Sequence, residues 1–152
     1  IYLPNGNPAP GPKYDYKLTW MNKLKNHLQN TLLNEEIFIV LGDFNVIPED
    51  IDTYNPEEWK DDALFKMETR KAYREILSLG FTDSFRQFNQ EPENYTFWDY
   101  QRGAWQRNKG IRIDHILTSP QASDKTNNVY IDKSLRDKEK PSDHVPIIID
   151  LS

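Results

Sequence analysis

A mixed α/β fold, with a mainly antiparallel sheet and helices on one face, is what the order of hydrophobic patterns along this chain predicts. Helical spacing relates Met21, Leu24, Leu28 and Leu32, an unbroken apolar run rich in branched residues covers Ile37 to Leu41, and a two-residue alternation runs from Ile111 to Thr118. The opening Ile1-Tyr2-Leu3 reads as strand with nothing before it to pair with, and the chain starts at Ile1 rather than Met. The expectation is therefore a piece of a longer domain. Pro4 to Pro12, rich in Pro and Gly, sustains neither helix nor strand and is a loop.

The spacing predicts an amphipathic helix from about Tyr14 to Leu33. Ile37 to Leu41 reads as a strand buried on both faces, ending at Gly42. An acidic, Pro-containing loop follows through Asp62, then a second helix from Ala63 to Leu79 with Gly80 as the residue just past its end. Phe81 to Phe88 is expected to be irregular. Tyr95 to Tyr100 and Ile111 to Thr118 are expected to form a hairpin around a long loop, with Ile111, Ile113, His115 and Leu117 on one face and Arg112, Asp114, Ile116 and Thr118 on the other. Val129 to Ile131 and Val145 to Leu151 complete the strands. No repeat or linker divides the chain, so residues 1–152 read as part of a single domain.

Composition narrows the function classes. No run approaches the roughly 20 apolar residues of a membrane span, so the chain reads as soluble and without a membrane partner. The sequence has no cysteine, which excludes disulfides and thiolate metal sites and suits a reducing cytoplasm. A net charge of −5 argues against an indiscriminate polyanion binder. The charge is unevenly spread, however. Glu49, Asp50, Asp52, Glu57, Glu58, Asp61 and Asp62 are opposed only by Lys60, whereas Arg102, Arg107, Lys109 and Arg112 form a basic stretch around Trp105, just after Phe97, Trp98 and Tyr100. Cations interleaved with aromatic rings suit phosphates and bases; a polar hairpin loop has the same composition.

Three short segments carry chemistry. Pro141-Ser142-Asp143-His144-Val145-Pro146 sets an acid beside an imidazole before the apolar run Ile147 to Ile149; in an extended segment their side chains leave opposite faces and serve different parts of one site. Gly42-Asp43-Phe44-Asn45 follows a buried strand. Either Asp43 and Asn45 share a face and act on a metal, water or phosphate, or they form an Asx-turn that satisfies local N–H groups. Asp114 sits inside an apolar strand and needs a partner. His144 is the natural one, since a carboxylate fixes an imidazole's tautomer and raises its basicity. His115 belongs to the other strand face, and His27 to the surface.

Gly42-Asp43-Phe44-Asn45, Tyr95-Thr96-Phe97-Trp98, Ile111-Arg112-Ile113-Asp114 and Ser142-Asp143-His144, in this order, resemble the endonuclease/exonuclease/phosphatase superfamily. Thr-Phe-Trp joined to Arg-Ile-Asp resembles more narrowly its exonuclease III and abasic-site endonuclease branch. The resemblance runs from Tyr2 to Leu151 and implies the C-terminal half of a four-layer sandwich of the deoxyribonuclease I-like type. It implies a Mg²⁺-dependent phosphodiesterase, with Mn²⁺ as the other candidate ion, acting on double-stranded DNA at abasic sites and 3′ ends. It further implies that Asp43 positions or deprotonates water with help from Asn45, and that these two and Asp143 belong to the metal and water network. His144, held by Asp114, contacts the scissile phosphate. Tyr2 and Asn5 fall near phosphate oxygens, and Phe97, Ile111 and Ile113, backed by Trp98, around a baseless sugar; Arg102 and Arg107 of the basic stretch are the expected DNA contacts by their charge. The family's principal metal-binding Glu and an Asn beside the catalytic Asp belong to the half this chain does not match. Two other readings remain: a related nuclease or phosphatase for inositol or lipid phosphates, and a DNA-binding half-domain without catalysis.

Overall fold

A computed structural model describes residues 1–152. After the Pro- and Gly-rich loop, Pro12 occupies the first turn of α1 (Pro12–Leu32), where its missing N–H costs nothing. The helix buries Tyr14, Lys17, Met21 and Leu28. Strand β1 (Ile39–Asp43) is followed by the short α2 (Pro56–Trp59), whose first turn is capped by the Asn55 side chain, and by α3 (Met67–Ser78). Then come β2 (Thr82–Asp83), α4 (Ser84–Phe88), β3 (Phe97–Trp98), β4 (Gly110–Ile111) and β5 (Asp114–Thr118). Helix α5 (Pro120–Lys125) leads into the hairpin β6 (Thr126–Ile131) and β7 (Ile147–Leu151).

The central sheet has the order β1-β5-β2, all antiparallel. Helices α1 and α3 cover one face, closing a core of Leu3, Met21, Leu28, Val40, Phe44, Tyr73, Ile76, Phe81 and Leu117. On the other face Phe85, Ile116 and Val129 pack with residues of β1 and of the β6–β7 hairpin. Ile1 to Leu3 runs parallel to the end of β1: the Ile1 ammonium donates to Leu41 O at 2.7 Å and Leu3 N–H to Asp43 O at 2.8 Å. Gly42 admits this approach. Its φ is 143°, and a Cβ there would lie 1.9 Å from Ile1 O.

Several expectations need correction. The strand begins at Ile39, not Ile37, and is not buried on both faces: Val40 is buried, but Leu41 is 50% exposed. The reason is its place at the sheet edge. The doubly buried strand is β5, in the centre, where His115, Ile116, Leu117 and Thr118 are all buried. The second helix starts at Met67 rather than Ala63. Asn7 Oδ1 accepts from Ala63 N–H and Asp62 Oδ1 from Leu64 N–H, which folds Ala63-Leu64-Phe65 into a buried turn. The stretch from Phe81 to Phe88 is regular, forming β2 and α4, with Asp83 accepting from Arg86 N–H at the helix start. The run Ile111 to Thr118 is not one strand: β4 pairs with β3, and after Arg112-Ile113 the chain changes partner, β5 pairing with β1.

Arg112 explains the break. It is not part of a basic surface stretch but fully buried, with its guanidinium 2.7 Å from Asp52 and 2.8 Å from Asp83. Its backbone N–H donates to Asp52 O, so the arginine fastens the acidic loop to the sheet. The rest of that loop is similarly occupied: Glu49 pairs with Arg74 at 3.0 Å and Glu57 with Lys60 at 2.9 Å. No helix is long and apolar enough to cross a membrane.

Candidate active site

Antiparallel register makes Asp43 of β1 and Asp114 of β5 direct cross-strand partners, so both carboxylates leave the same face of the sheet. His144 arrives from a separate segment. Trp98 N–H donates to Asp143 O and Val145 N–H to Thr96 O, laying Asp143 to Val145 beside β3. Thr96, fully buried, organises the junction: its Oγ1 accepts from both Ile113 N–H and Asp114 N–H at 3.1 Å. The His144 ring then lies with Nδ1 2.8 Å from Asp114 Oδ2 and Nε2 3.7 Å from Asp43 Oδ2.

The electrostatics follow from this triangle. The Asp114 hydrogen bond holds the His144 imidazole above its ordinary pKa, against the opposing effect of burial. Burial, reinforced by the negative charge of Asp114, pushes Asp43 up. Asp43 divides its oxygens: Oδ1 accepts from Asn45 N–H at 2.9 Å, and Oδ2 faces His144. The segment is therefore an Asx-turn rather than an extended strand, with Asn45 in the left-handed region at φ 49°. Asn45 nonetheless borders the same cavity. Its Nδ2 donates to Leu3 O at 2.6 Å, and its amide oxygen has no partner within the chain.

The cavity measures about 290 Å³. Tyr2, Asn5, Asp43, Asn45, Phe97, Ile111, Ile113 and His144 border it together with Asn7, Trp59, Asp62 and Leu64. Tyr2 is 70% exposed at the rim. The Asn5 side-chain oxygen accepts from Asn7. Phe97 stands edge-on to His144, ring centroids 5.2 Å apart. A neighbouring cavity of about 380 Å³ shares Trp59, Phe97 and Ile111 as a wall and is bordered by Arg102, Arg107 and Lys109.

Two of the residues singled out from sequence stand apart. Trp98 is fully buried against Tyr95, Ala104 and Val145, its Nε1 donating to Asn108 Oδ1 at 3.0 Å, so it touches no ligand. Alternation along β3 sends Phe97 outward and Trp98 in. The half-buried Asp143 does not join the group formed by Asp43, Asp114 and His144, whose ligand atoms lie within 4.8 Å of one another. A hard divalent cation prefers about six oxygen ligands. Asp43, Asp114 and the free amide oxygen of Asn45 fit part of such a shell, leaving positions for water and substrate.

Reasoning from sequence missed Lys17, Thr96 and the Arg112 cluster. Lys17 is fully buried, with Nζ 2.9 Å from Asn5 O and 2.6 Å from Asn45 O; burial lowers its pKa to about 7, partly opposed by Asp62 and Asp43. The signal for Thr96 was its place in the Thr-Phe-Trp segment. The signal for Lys17 was its position on the apolar stripe of α1, four residues before Met21 and eleven before Leu28.

The model of the endonuclease/exonuclease/phosphatase family matches residues 2–144. Exodeoxyribonuclease III of Haemophilus influenzae is 31% identical over 96% of this chain and 58% of its own length. The DNA-(apurinic or apyrimidinic site) endonuclease of Dictyostelium discoideum is 33% identical over 99% of this chain and 42% of its own. Among solved structures, an AP endonuclease from Archaeoglobus fulgidus superposes with a TM-score of 0.94 at 38% identity, covering 99% of this chain and 59% of that one. The 3′ phosphatase NExo from Neisseria, bound to a product DNA hairpin, gives 0.96 at 36%, covering 100% and 59%. The chain thus spans less than two thirds of the relatives it matches.

Proposed function

Since this chain belongs to the endonuclease/exonuclease/phosphatase family and has the deoxyribonuclease I-like fold of its relatives, we propose that it carries the C-terminal share of a DNA-repair phosphodiesterase. The enzyme acts as a 3′-to-5′ exodeoxyribonuclease and an abasic-site endonuclease, in the cytoplasm, on double-stranded DNA. The observation that carries this reading is the meeting of Asp43 and His144, the latter bonded to Asp114, on a cavity walled by Phe97, Ile111 and Ile113.

In the proposed reaction a water oxygen attacks phosphorus and the bond to the 3′ oxygen breaks. Asp43 or His144 takes the proton from the water; both have pKa values moved toward neutrality or kept basic by their neighbours. Asp114 keeps the imidazole oriented, with Nδ1 committed to it and Nε2 turned to the cavity side. Asn45 orients the attacking water, and Tyr2 and Asn5 contact phosphate oxygens. Asp43, Asp114 and Asn45 would hold part of the shell of a divalent cation, Mg²⁺ or in its place Mn²⁺, which would supply positive charge to the phosphoryl oxygen. The apolar wall selects by size, admitting a sugar without its base where an intact nucleotide clashes. Arg102 and Arg107, on the neighbouring cavity, bind the flanking backbone. The share of the reported relatives that this chain does not match, from about two fifths to nearly three fifths of their length, would supply an N-terminal half that completes the metal shell and covers the open edge of β1.

A second reading keeps the cavity and exchanges the substrate for a phosphate monoester, favoured by the similarity to a 3′ phosphatase. Turnover of abasic duplex, intact duplex, 3′-phosphorylated duplex and inositol phosphates by the full-length protein separates the two. Abasic cleavage that is abolished by EDTA, and lowered by about 10²- to 10⁴-fold in Asp43→Asn, is the expected result. Cleavage that survives EDTA overturns the proposal, as does full activity in Asp43→Asn.

A further inference from the structure

Lys17 is an anomaly in a surface helix. Its side chain is fully buried, yet its ammonium bonds to no carboxylate; Nζ donates to the backbone oxygens of Asn5 at 2.9 Å and Asn45 at 2.6 Å. Burying a charge against neutral acceptors is costly, and a methionine would fill the same space at less expense. The two acceptors belong to separate segments on one rim of the cavity. One follows Ile1 to Leu3, and the other is the turn after β1. A third bond, Asn45 Nδ2 to Leu3 O at 2.6 Å, joins those segments directly.

Both segments are shaped around the lysine. Gly6 has φ 88°, and a Cβ there would sit 2.6 Å from Lys17 Cδ, so the loop closes over the stem. Asn45 holds a left-handed φ of 49°, a conformation that costs a non-glycine residue stability and persists only when its surroundings impose it. Its N–H is held by Asp43 and its carbonyl by Lys17, which grips the turn from both sides.

We infer that Lys17 is a positioning residue: by fixing the carbonyls of Asn5 and Asn45 it sets where Asp43 and Asn45 meet the phosphodiester, without touching substrate itself. This rests on the phosphodiesterase reading of the cavity. A displacement of about 1 Å at reacting groups costs on the order of 10²-fold in rate, so the effect belongs to kcat.

The test compares Lys17→Met and Lys17→Arg with the unaltered full-length protein, using abasic duplex DNA, EDTA-free buffer with Mg²⁺, and thermal melting on the same samples. The expected result is a folded Lys17→Met whose kcat falls at least about tenfold while KM changes little, with Lys17→Arg recovering most of the loss because it keeps charged donors. Unchanged kcat in Lys17→Met overturns the inference. So does an equal loss in both variants that follows the fall in melting temperature, which marks a packing role. If Lys17→Met does not fold, Lys17→Gln, which keeps one N–H donor, is judged by the same kcat criterion. Asp43→Asn separates the two levels: if it is silent, the phosphodiesterase reading fails; if it is inactive while Lys17→Met is normal, only the role of Lys17 fails.

Discussion

At the scale of single residues, two histidines of this chain illustrate opposite uses of the same ring. His144 is half-buried and bonded to Asp114, which raises its pKa. Asp114→Asn should therefore lower that pKa toward the ordinary value, seen as an acidward shift of the His144 ring-proton titration in NMR; no shift would mean that the pair does not form. His115 is fully buried, with Nε2 2.7 Å from Val46 O and Nδ1 3.1 Å from Arg112. Burial, with the Arg112 charge, lowers its pKa from 6.5 to about 4. The ring is neutral in the fold, while the unfolded chain takes up a proton below about 6.5, so stability falls as pH drops from there toward about 4. At about 1.4 kcal/mol per unit this amounts to roughly 3 kcal/mol. His115→Gln should flatten that limb when urea midpoints at pH 7 and pH 5 are compared; an unchanged slope would assign it to other groups. The bond between Asp114 and His144 was legible in sequence because a carboxylate inside an apolar strand demands a partner, whereas Asp43 was left open between a site and the Asx-turn that it forms. The burial of Lys17 was readable from its place on the apolar stripe of α1, but its role was not, because its acceptors are backbone atoms, which carry no sequence signal.

At the scale of elements, the acidic loop and the β4–β5 turn depend on one another through Arg112. The cluster joins Asp52, Asp83 and Arg112 with Arg86, 2.5 Å from Asp52, and Tyr73, 3.0 Å from Asp83. Arg112→Met leaves Asp83 without its cation, and removing one partner of a buried pair costs about 3–5 kcal/mol. Denaturant unfolding measures it. A loss under about 1 kcal/mol would mean that water or Arg86 takes over the charge. Local patterns recovered α1 almost to its ends and put Gly80 just past α3, since spacing and a terminal glycine are local signals. They failed where tertiary bonds decide. Asn7 reaches Ala63 across 56 positions and delays α3, and Arg112 reaches Asp52 across 60, dividing one apparent strand in two.

At the scale of the molecule, the open edge of β1 forms an apolar groove of about 400 Å³ bordered by Ile1, Leu24, Phe38 and Leu41. Exposed apolar edges recruit other strands. The isolated chain should therefore self-associate with rising concentration in sedimentation experiments, and Leu41→Lys should reduce this; a monomeric isolated chain would mean that the edge needs no cover. The layered α/β architecture was legible because it follows from element order. Edge and centre were not, because an apolar run has the same composition in β1 and β5. That distinction gives the cross-strand pairing of Asp43 with Asp114 a further meaning. A one-residue slip between these strands would carry Asp43 about 3.4 Å along and turn it to the opposite face, leaving His144 opposite the hydrogen of Gly42 or the ring of Phe44. A slipped chain would turn Val40 out of the core and Leu41 toward it, yet with its strands still paired it would look folded to far-ultraviolet spectroscopy. Specific activity is then a folding assay, counting only those molecules in which two strands closed on the correct rung.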